Sequence, residues 1–312
     1  MAAVIPDTLD FRDYMRRTEA ACKVRPASAF IDDVKREFHE KAAGKRYPGM
    51  KSTKARHFLE FLPGDTTAWT GFNGHRKSMF TSQVQLDLCD QGERVLVASF
   101  EMTPARSLGR MARQAAGEAI PSDPWLDAFH AWTDDKLWIF DHLGRISPEQ
   151  VIALCYYFAE DLKGNHVFID SMMMVCESEE HLDEQKQFTT DIVRVGLETG
   201  MHMHLVTHGK KPQNGDESKP MSKYDMRGAA AISDQCPNVA VVWANMAKKL
   251  KLEENRQAGR TSEEELLAQP DALLAVRKQR NSGWEGTLKF WFDENSLRFT
   301  DSRTAPVEPY DI

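Results

Sequence analysis

What the sequence lacks narrows it first. No apolar run approaches the roughly 20 residues needed to cross a bilayer, so no spanning helix is expected. The opening stretch, MAAVIPDTLDFRDYMRR, has none of the apolar core of a secretory signal. Cysteine is scarce and scattered: Cys22, Cys89, Cys155, Cys176 and Cys236, an odd count with no C-x-x-C pair. That scatter argues against a disulfide framework or a zinc site and for a reducing, cytoplasmic setting. Positive charge is in deficit, with 40 Lys and Arg against 47 Asp and Glu. Overall charge therefore does not draw this chain to nucleic acid, although a few basic loops on an acidic body can still hold a strand. No repeat or low-complexity tract is evident. What remains, 41% hydrophobic and 28% charged over 312 residues, suits a soluble globular protein with one large domain and a short appendage.

Two regimes follow along the chain. Residues 1–60 are polar and charge-rich, with one amphipathic segment in which Phe30, Ile31, Val34 and Phe38 recur at helical spacing. Pro26, Gly44, Pro48 and Gly49 punctuate it as linkers do. From about 61 to 312, short apolar runs alternate with longer amphipathic ones. Runs 66–70, 95–100, 137–140, 166–170, 202–207 and 239–243 read as buried strands. Helical patterns at 78–89, 104–116, 148–161 and 180–199 lie between most of them. Alternation with continuously apolar strands predicts an α/β fold, a mostly parallel sheet flanked by helices. Runs 272–279, 286–292 and 297–300 have no intervening helices and predict antiparallel strands extending that sheet. Segment 248–269, rich in Lys, Glu, Arg and Gln, reads as an exposed helical excursion.

One loop carries the clearest chemistry. Gly71, Phe72, Asn73, Gly74, His75, Arg76, Lys77 and Ser78 follow a strand (TTAWT) and open a helix (KSMFTSQVQLDLC). A strand feeding a turn and a helix N-terminus aims several backbone N–H groups at one point, where the helix dipole also favours an anion. Lys77 would reach the β- and γ-phosphates of ATP, and the Ser78 hydroxyl would join the coordination of Mg²⁺. Arg76 stands where glycine normally precedes the lysine, because backbone passes close to phosphate there. Either its side chain points away, or it contacts phosphate itself, or the loop no longer binds nucleotide.

The remaining parts lie in order. Asp170 ends the run HVFID, where a magnesium-positioning carboxylate belongs. Glu101 follows VLVASF at the carboxyl edge of the next strand, suited to polarise an attacking water or, more blandly, to cap a helix. His208 ends HMHLVT, before Lys210 and Lys211, and is either a γ-phosphate sensor or a surface histidine.

Together these segments resemble the hexameric replicative DNA helicases of the DnaB, Twinkle and phage primase–helicase type. The resemblance runs from about Phe61 to Phe299 and implies a RecA-like P-loop NTPase fold. FLPGDTTAWTGFNGHRKS is similar to that family's strand and phosphate loop. VASFEMTPARSLGRM resembles its catalytic-glutamate segment, HVFIDSMMMV its magnesium-aspartate strand, and LVTHGKKP its histidine sensor strand. KYDMRGAAAISDQCPNVAVVW resembles the DNA-loop segment, which assigns a glutamine role to Gln235 and DNA contacts to Lys223, Arg227 and Gly228. VRKQRNSGWEGTLKFWFDENSLRF resembles the strand whose lysine and arginine finger act at the neighbouring subunit's ATP, here Lys278 and Arg280; the bland alternative is a basic edge strand. The resemblance further implies a homo-oligomer, a hexameric ring on single-stranded DNA, 5′ to 3′ travel and a separate primase or other replisome proteins. A phage origin and a cytoplasmic location fit it. No primase domain or N-terminal collar is recognised, and the segment near Phe30 is a linker helix packed on an adjacent subunit or on its own domain. Three functions stay open: a helicase, a RecA-like DNA-binding ATPase for recombination or loading without unwinding, and a nucleotide-dependent assembly module with little turnover.

Overall fold

Strands of a sheet covered on both faces are buried at every position, and the central runs 66–70 and 202–206 are, threonines and histidines included. The computed structural model describes residues 25–56, 58–176, 182–209, 217–222 and 229–312. β1 (Thr66–Thr70), β2 (Val95–Ser99), β3 (Leu137–Ile139), β4 (His166–Asp170), β5 (His202–Val206) and β6 (Asn238–Ala244) are parallel. β7 (Ala272–Gln279), β8 (Gly286–Asp293) and β9 (Arg298–Thr300) add on antiparallel. Among the described residues they form a nine-stranded sheet in the order β3-β2-β4-β5-β1-β6-β7-β8-β9. The expected α/β architecture, parallel at the centre and antiparallel at its C-terminal edge, is the one observed.

The chain divides into two compact units, Met1–Arg46 and Tyr47–Ile312. The first contains α1 (Ile31–Ala42), whose first-turn Asp32 and Asp33 suit the positive end of the helix dipole. Phe30, Ile31, Val34 and Phe38 are all exposed, Phe38 to 67%. The larger unit begins well before residue 61, because Met50, Ala55, Leu59 and Phe61 are already buried in its core.

Helices cover the sheet: α2 (Lys77–Asp90), α3 (Pro104–Ala116), α4 (Asp123–Thr133), α5 (Pro148–Glu160), α6 (Leu182–Thr199) and α7 (Ala229–Gln235). α3 starts on Thr103, whose side chain accepts from Arg106 N–H, with Pro104 at N1, and stops at left-handed Gly117. α5 opens with a capping box between Ser147 and Gln150. Alternate residues of each strand feed opposite cores: Leu96, Ala98, Val167 and Ile169 one side, Val95, Val97, Phe168 and Trp69 the other.

Two features differ from the sequence expectation. α4 was not anticipated; Trp125, Phe129 and Trp132 recur at i, i+4 and i+7 and stack on one another, with centroids 5.6 and 6.2 Å apart. Segment 248–269 is not simply an exposed excursion. It forms α8 (Met246–Gln257) and α9 (Glu264–Ala268), and Lys248 is buried. Its ammonium donates to Leu267 O and Gln269 O and pairs with Asp271 at 2.7 Å, so one lysine of the charge run stitches the excursion to β7.

Beneath the N-terminal ends of β1, β4 and β5 lies a buried histidine cluster, packed on Phe61. Its tautomers follow from its partners. The Trp69 indole can only donate, so His204 accepts at Nδ1 (3.1 Å) and carries its proton on Nε2. That N–H donates to His166 Nδ1 (3.2 Å), leaving the His166 proton on Nε2, which faces Glu93 at 3.6 Å. Leu62 O can only accept, so His202 donates from Nδ1 (2.7 Å) and accepts the Thr67 hydroxyl at Nε2 (2.8 Å). Burial drives all three rings toward the neutral form, His202 to a pKa of about 3.

Candidate nucleotide site

The loop after β1 is held from behind. Phe72 is buried against Met221, Val241 and Trp243. Gly209 N–H, beyond β5, donates to Gly71 O. The His75 ring does not face the loop's open side: Nδ1 accepts from Ala244 N–H (3.1 Å), which leaves Nε2–H to donate to Glu217 (3.1 Å). A Cβ on Gly71 would lie 2.2 Å from Val242 O, so backbone alone fits there. Gly74 has φ 78 and no neighbour within 4 Å of where a Cβ would be. Lys77 is buried, and its ammonium donates to Gly71 O (2.9 Å) and Phe72 O (3.0 Å), the loop's own carbonyls.

Arg76 is the N-cap of α2, in the left-handed region at φ 63 and ψ 26, where glycine is at ease and a side-chain-bearing residue is strained by about 1 kcal/mol. Its side chain points away from the loop: the guanidinium lies over the Phe292 ring, 3.8 Å from the centroid. Burial lowers its pKa, opposed by Glu294 and Asp271. Arg76 and Phe292 line a cavity of about 820 Å³ beside the loop, with Asn245, Arg256, Trp291 and Glu294.

The acids converge on the loop from neighbouring strands. β2 and β4 are paired, Ser99 opposite Asp170, so Glu101 and Asp170 emerge side by side. The Asp170–Ser171 peptide is cis. Burial raises the Asp170 pKa, against a hydrogen bond from the Ser78 hydroxyl. Glu101 is held below the ordinary carboxylate range by His208 and, after the opposing cost of burial, by the Ser171 hydroxyl, which donates to its Oε1 at 2.8 Å. His208 Nε2 stands 3.8 Å from that same oxygen, beyond hydrogen-bond distance, and its Nδ1 is buried without a partner among the described residues. Sequence reasoning missed Arg110, on α3, which lines a narrow polar cleft with Ser78, Ser99 and Asp170. It also missed Phe292, for which the sequence carries no signal until the course of Arg76 is known.

These residues fit a nucleoside triphosphate with a divalent cation. The loop packs its backbone against β6 at Gly71, has a buried lysine at its centre, and has hard oxygen donors in Ser78 and Asp170.

A second group sits elsewhere. Gln279 is opposite Asn238, the first residue of β6, so Gln235, Lys278 and Arg280 lie at the N-terminal ends of the parallel strands. Thr66 to Gly71 separates the two ends by roughly 15 Å along the strands, at about 3.3 Å per residue. The Lys278 ammonium donates to Ser233 O (2.6 Å) and Asp234 O (3.1 Å) at the end of α7, and Arg280 N–H donates to Pro237 O. Asn281, next along, donates to Asp65. Lys210, Lys211, Lys223, Arg227 and Gly228 lie outside the described residues.

Fold and site together define a RecA-like P-loop ATPase architecture. The sequence profile of the AAA domain family matches residues 54–214, and the chain belongs to that family. Among solved structures, one isolated as an ATPase domain superposes with a TM-score of 0.68 at 12% identity, over 87% of this chain and 98% of that one. A DnaB-like replicative helicase, solved in a study of its interactions with primase, gives 0.66 at 13% identity, over 89% of this chain and 67% of that one. The likeness to DnaB-type helicase domains drawn from the motifs is thus matched in the fold.

Proposed function

We propose that this chain is the motor of a ring-forming replicative DNA helicase that hydrolyses ATP to travel on single-stranded DNA and unwind duplex ahead of it. The observation that carries the reading is the separation of Arg280 from its own phosphate loop. An arginine at the far end of the sheet cannot reach Lys77 of the same protomer, but it can reach the loop of the next copy in a head-to-tail ring.

In this reading the loop N–H groups and Lys77 bind the β- and γ-phosphates, and the 820 Å³ cavity beside the loop receives the nucleoside end. Ser78 and Asp170 would hold Mg²⁺, which supplies charge neutralisation along the phosphates when bound. Glu101, kept ionised by His208 and Ser171, accepts the proton of the attacking water. His208, 3.8 Å from the Glu101 oxygen, would respond to the γ-phosphate beside that carboxylate. Arg280 and Lys278 of the adjoining protomer stabilise the charge that develops on the transferring group. Lys223, Arg227 and Gly228 would hold DNA phosphates without reading bases, giving salt-dependent, sequence-tolerant binding. A separate primase is a partner that the same reading extends to, and the exposed face of α1 suits an adjacent copy.

The test is strand displacement on forked duplexes with either tail, joined to a subunit-mixing experiment. Wild-type protein should displace the strand with ATP and Mg²⁺, and neither Arg280→Ala nor Lys77→Ala should. Mixed one to one, the two variants should recover hydrolysis at about a quarter of the interfaces, those pairing an intact loop with an intact arginine. DNA-stimulated hydrolysis without displacement on any fork would favour a RecA-like ATPase that does not unwind. No recovery at any mixing ratio would remove the arginine from the neighbouring site.

A further inference from the structure

We propose that Arg76 is the specificity-determining residue of the nucleotide site: its guanidinium, held over Phe292, is the platform on which a purine base stacks. The inference rests on the reading of Gly71 to Ser78 as a nucleotide loop and extends it to the part of the ligand that the loop does not touch.

Four observations carry it. The left-handed backbone of Arg76 lets its N–H stay with the loop while its side chain leaves it, so the residue serves two places at once. The guanidinium carbon stands 3.8 Å from the Phe292 centroid, which covers one face of the planar group. Both residues line the 820 Å³ cavity that adjoins the loop, so the outer face of the guanidinium looks onto that space. Its charge is opposed by Glu294 and Asp271, so it serves as a flat, weakly hydrated surface rather than as a further phosphate ligand.

Such a surface recognises an aromatic ring, and the gain grows with overlap, so the two-ring purines are favoured over pyrimidines. Arginine in place of glycine is then a gain of base recognition, made at the modest strain of one left-handed residue.

The test measures binding of ADP, CDP and inorganic tripolyphosphate, each with Mg²⁺, by calorimetry. It uses the full chain, the variants Arg76→Gly and Phe292→Leu, and a thermal melt of each as a check on folding. Wild type should prefer ADP to CDP by about tenfold. Both variants should bring that ratio to within about twofold while changing tripolyphosphate affinity by less than about twofold. Arg76→Gly removes no fully buried side chain, so it keeps the test sharp even if Phe292→Leu unfolds. An unchanged ADP/CDP ratio in Arg76→Gly would overturn the proposal. So would a gain of equal size for all three ligands, which would make Arg76 only a defect of the loop. Wild-type protein that binds tripolyphosphate but does not distinguish ADP from CDP would sink this inference alone. Failure to bind any of the three would take the nucleotide reading with it.

Discussion

Acid should unfold this protein through its buried histidines, and the size of the effect can be worked out. His202 has a pKa of about 3 in the folded chain and the ordinary 6.5 when unfolded. Its folded pKa is depressed, so the unfolded chain binds the extra proton throughout the window between those values. Stability is therefore fully present above about pH 6.5 and is lost as pH falls toward 3. At pH 4.5 the loss from His202 alone is about 3 kcal/mol, and His166 and His204 add to it in the same direction. Asp87 works the other way. Buried, and accepting from Tyr310 O–H (2.5 Å) and Lys51 N–H (3.0 Å), it has a pKa of about 6 when folded. Its folded pKa is raised, so acidification favours the folded state, by about 2 kcal/mol at pH 4.5. His75 is lowered by burial as well, whereas burial raises Asp65 and Asp170 in the same sense as Asp87; the expected balance of the four histidines against the three aspartates is a loss. Urea unfolding followed by tryptophan fluorescence at pH 7, 5.5 and 4.5 would measure it. His202→Asn keeps an N–H for Leu62 O but cannot be protonated; it should be less stable at pH 7 and lose about 3 kcal/mol less on going to pH 4.5. A wild type equally stable at both pH values, or a variant with the wild-type slope, would show that the histidines do not set the acid limit.

Three further outcomes are expected. Asp87→Asn should deepen the loss between pH 7 and 4.5 by about 2 kcal/mol, read in the same urea titrations. Lys248→Met should cost about 3 kcal/mol, because it leaves Asp271 and two carbonyls of the α8–α9 excursion without their cation. Adding Asp271→Asn should recover part of that loss in thermal melts, whereas additive losses would show that the pair is not coupled. Gly71→Ala places a methyl 2.2 Å from Val242 O, so it should cost about 3 kcal/mol and abolish nucleotide binding measured by calorimetry.

The legible parts of the sequence were those whose meaning is local. β1, the loop and α2 could be read together because a strand, a glycine-bearing turn and a helix start follow one another within a few residues. Glu101, Asp170 and His208 were legible one at a time, since each ends an apolar run, and a parallel sheet brings such ends to one edge. Residues whose setting is made by distant chain were not legible. Arg76 was ambiguous because the ring it covers, Phe292, comes from the far end of the chain. His75 sits within the loop's sequence, yet its ring is tied to the end of β6 behind it. Lys248 looked like part of a solvated charge run because composition cannot say which one of several lysines folds inward onto Asp271. The division at Tyr47 was hidden because Met50, Ala55 and Leu59 are too sparsely spaced to form a periodic pattern, though each is buried.

Among the described residues no helix is long and apolar enough to cross a membrane, and the cysteines described, Cys89, Cys155, Cys176 and Cys236, are buried. Burial pushes each of those thiols up to about 12, which leaves them inert at neutral pH.

If the cradle at Gly71 to Ser78 drives a DNA-coupled ATPase, steady-state hydrolysis will reveal it. Phosphate release should be Mg²⁺-dependent, rise about tenfold or more with single-stranded DNA of any sequence, and vanish in Lys77→Ala. Turnover that ignores single strands, or that survives the loss of Lys77, would mean that this loop is not the engine of a DNA motor.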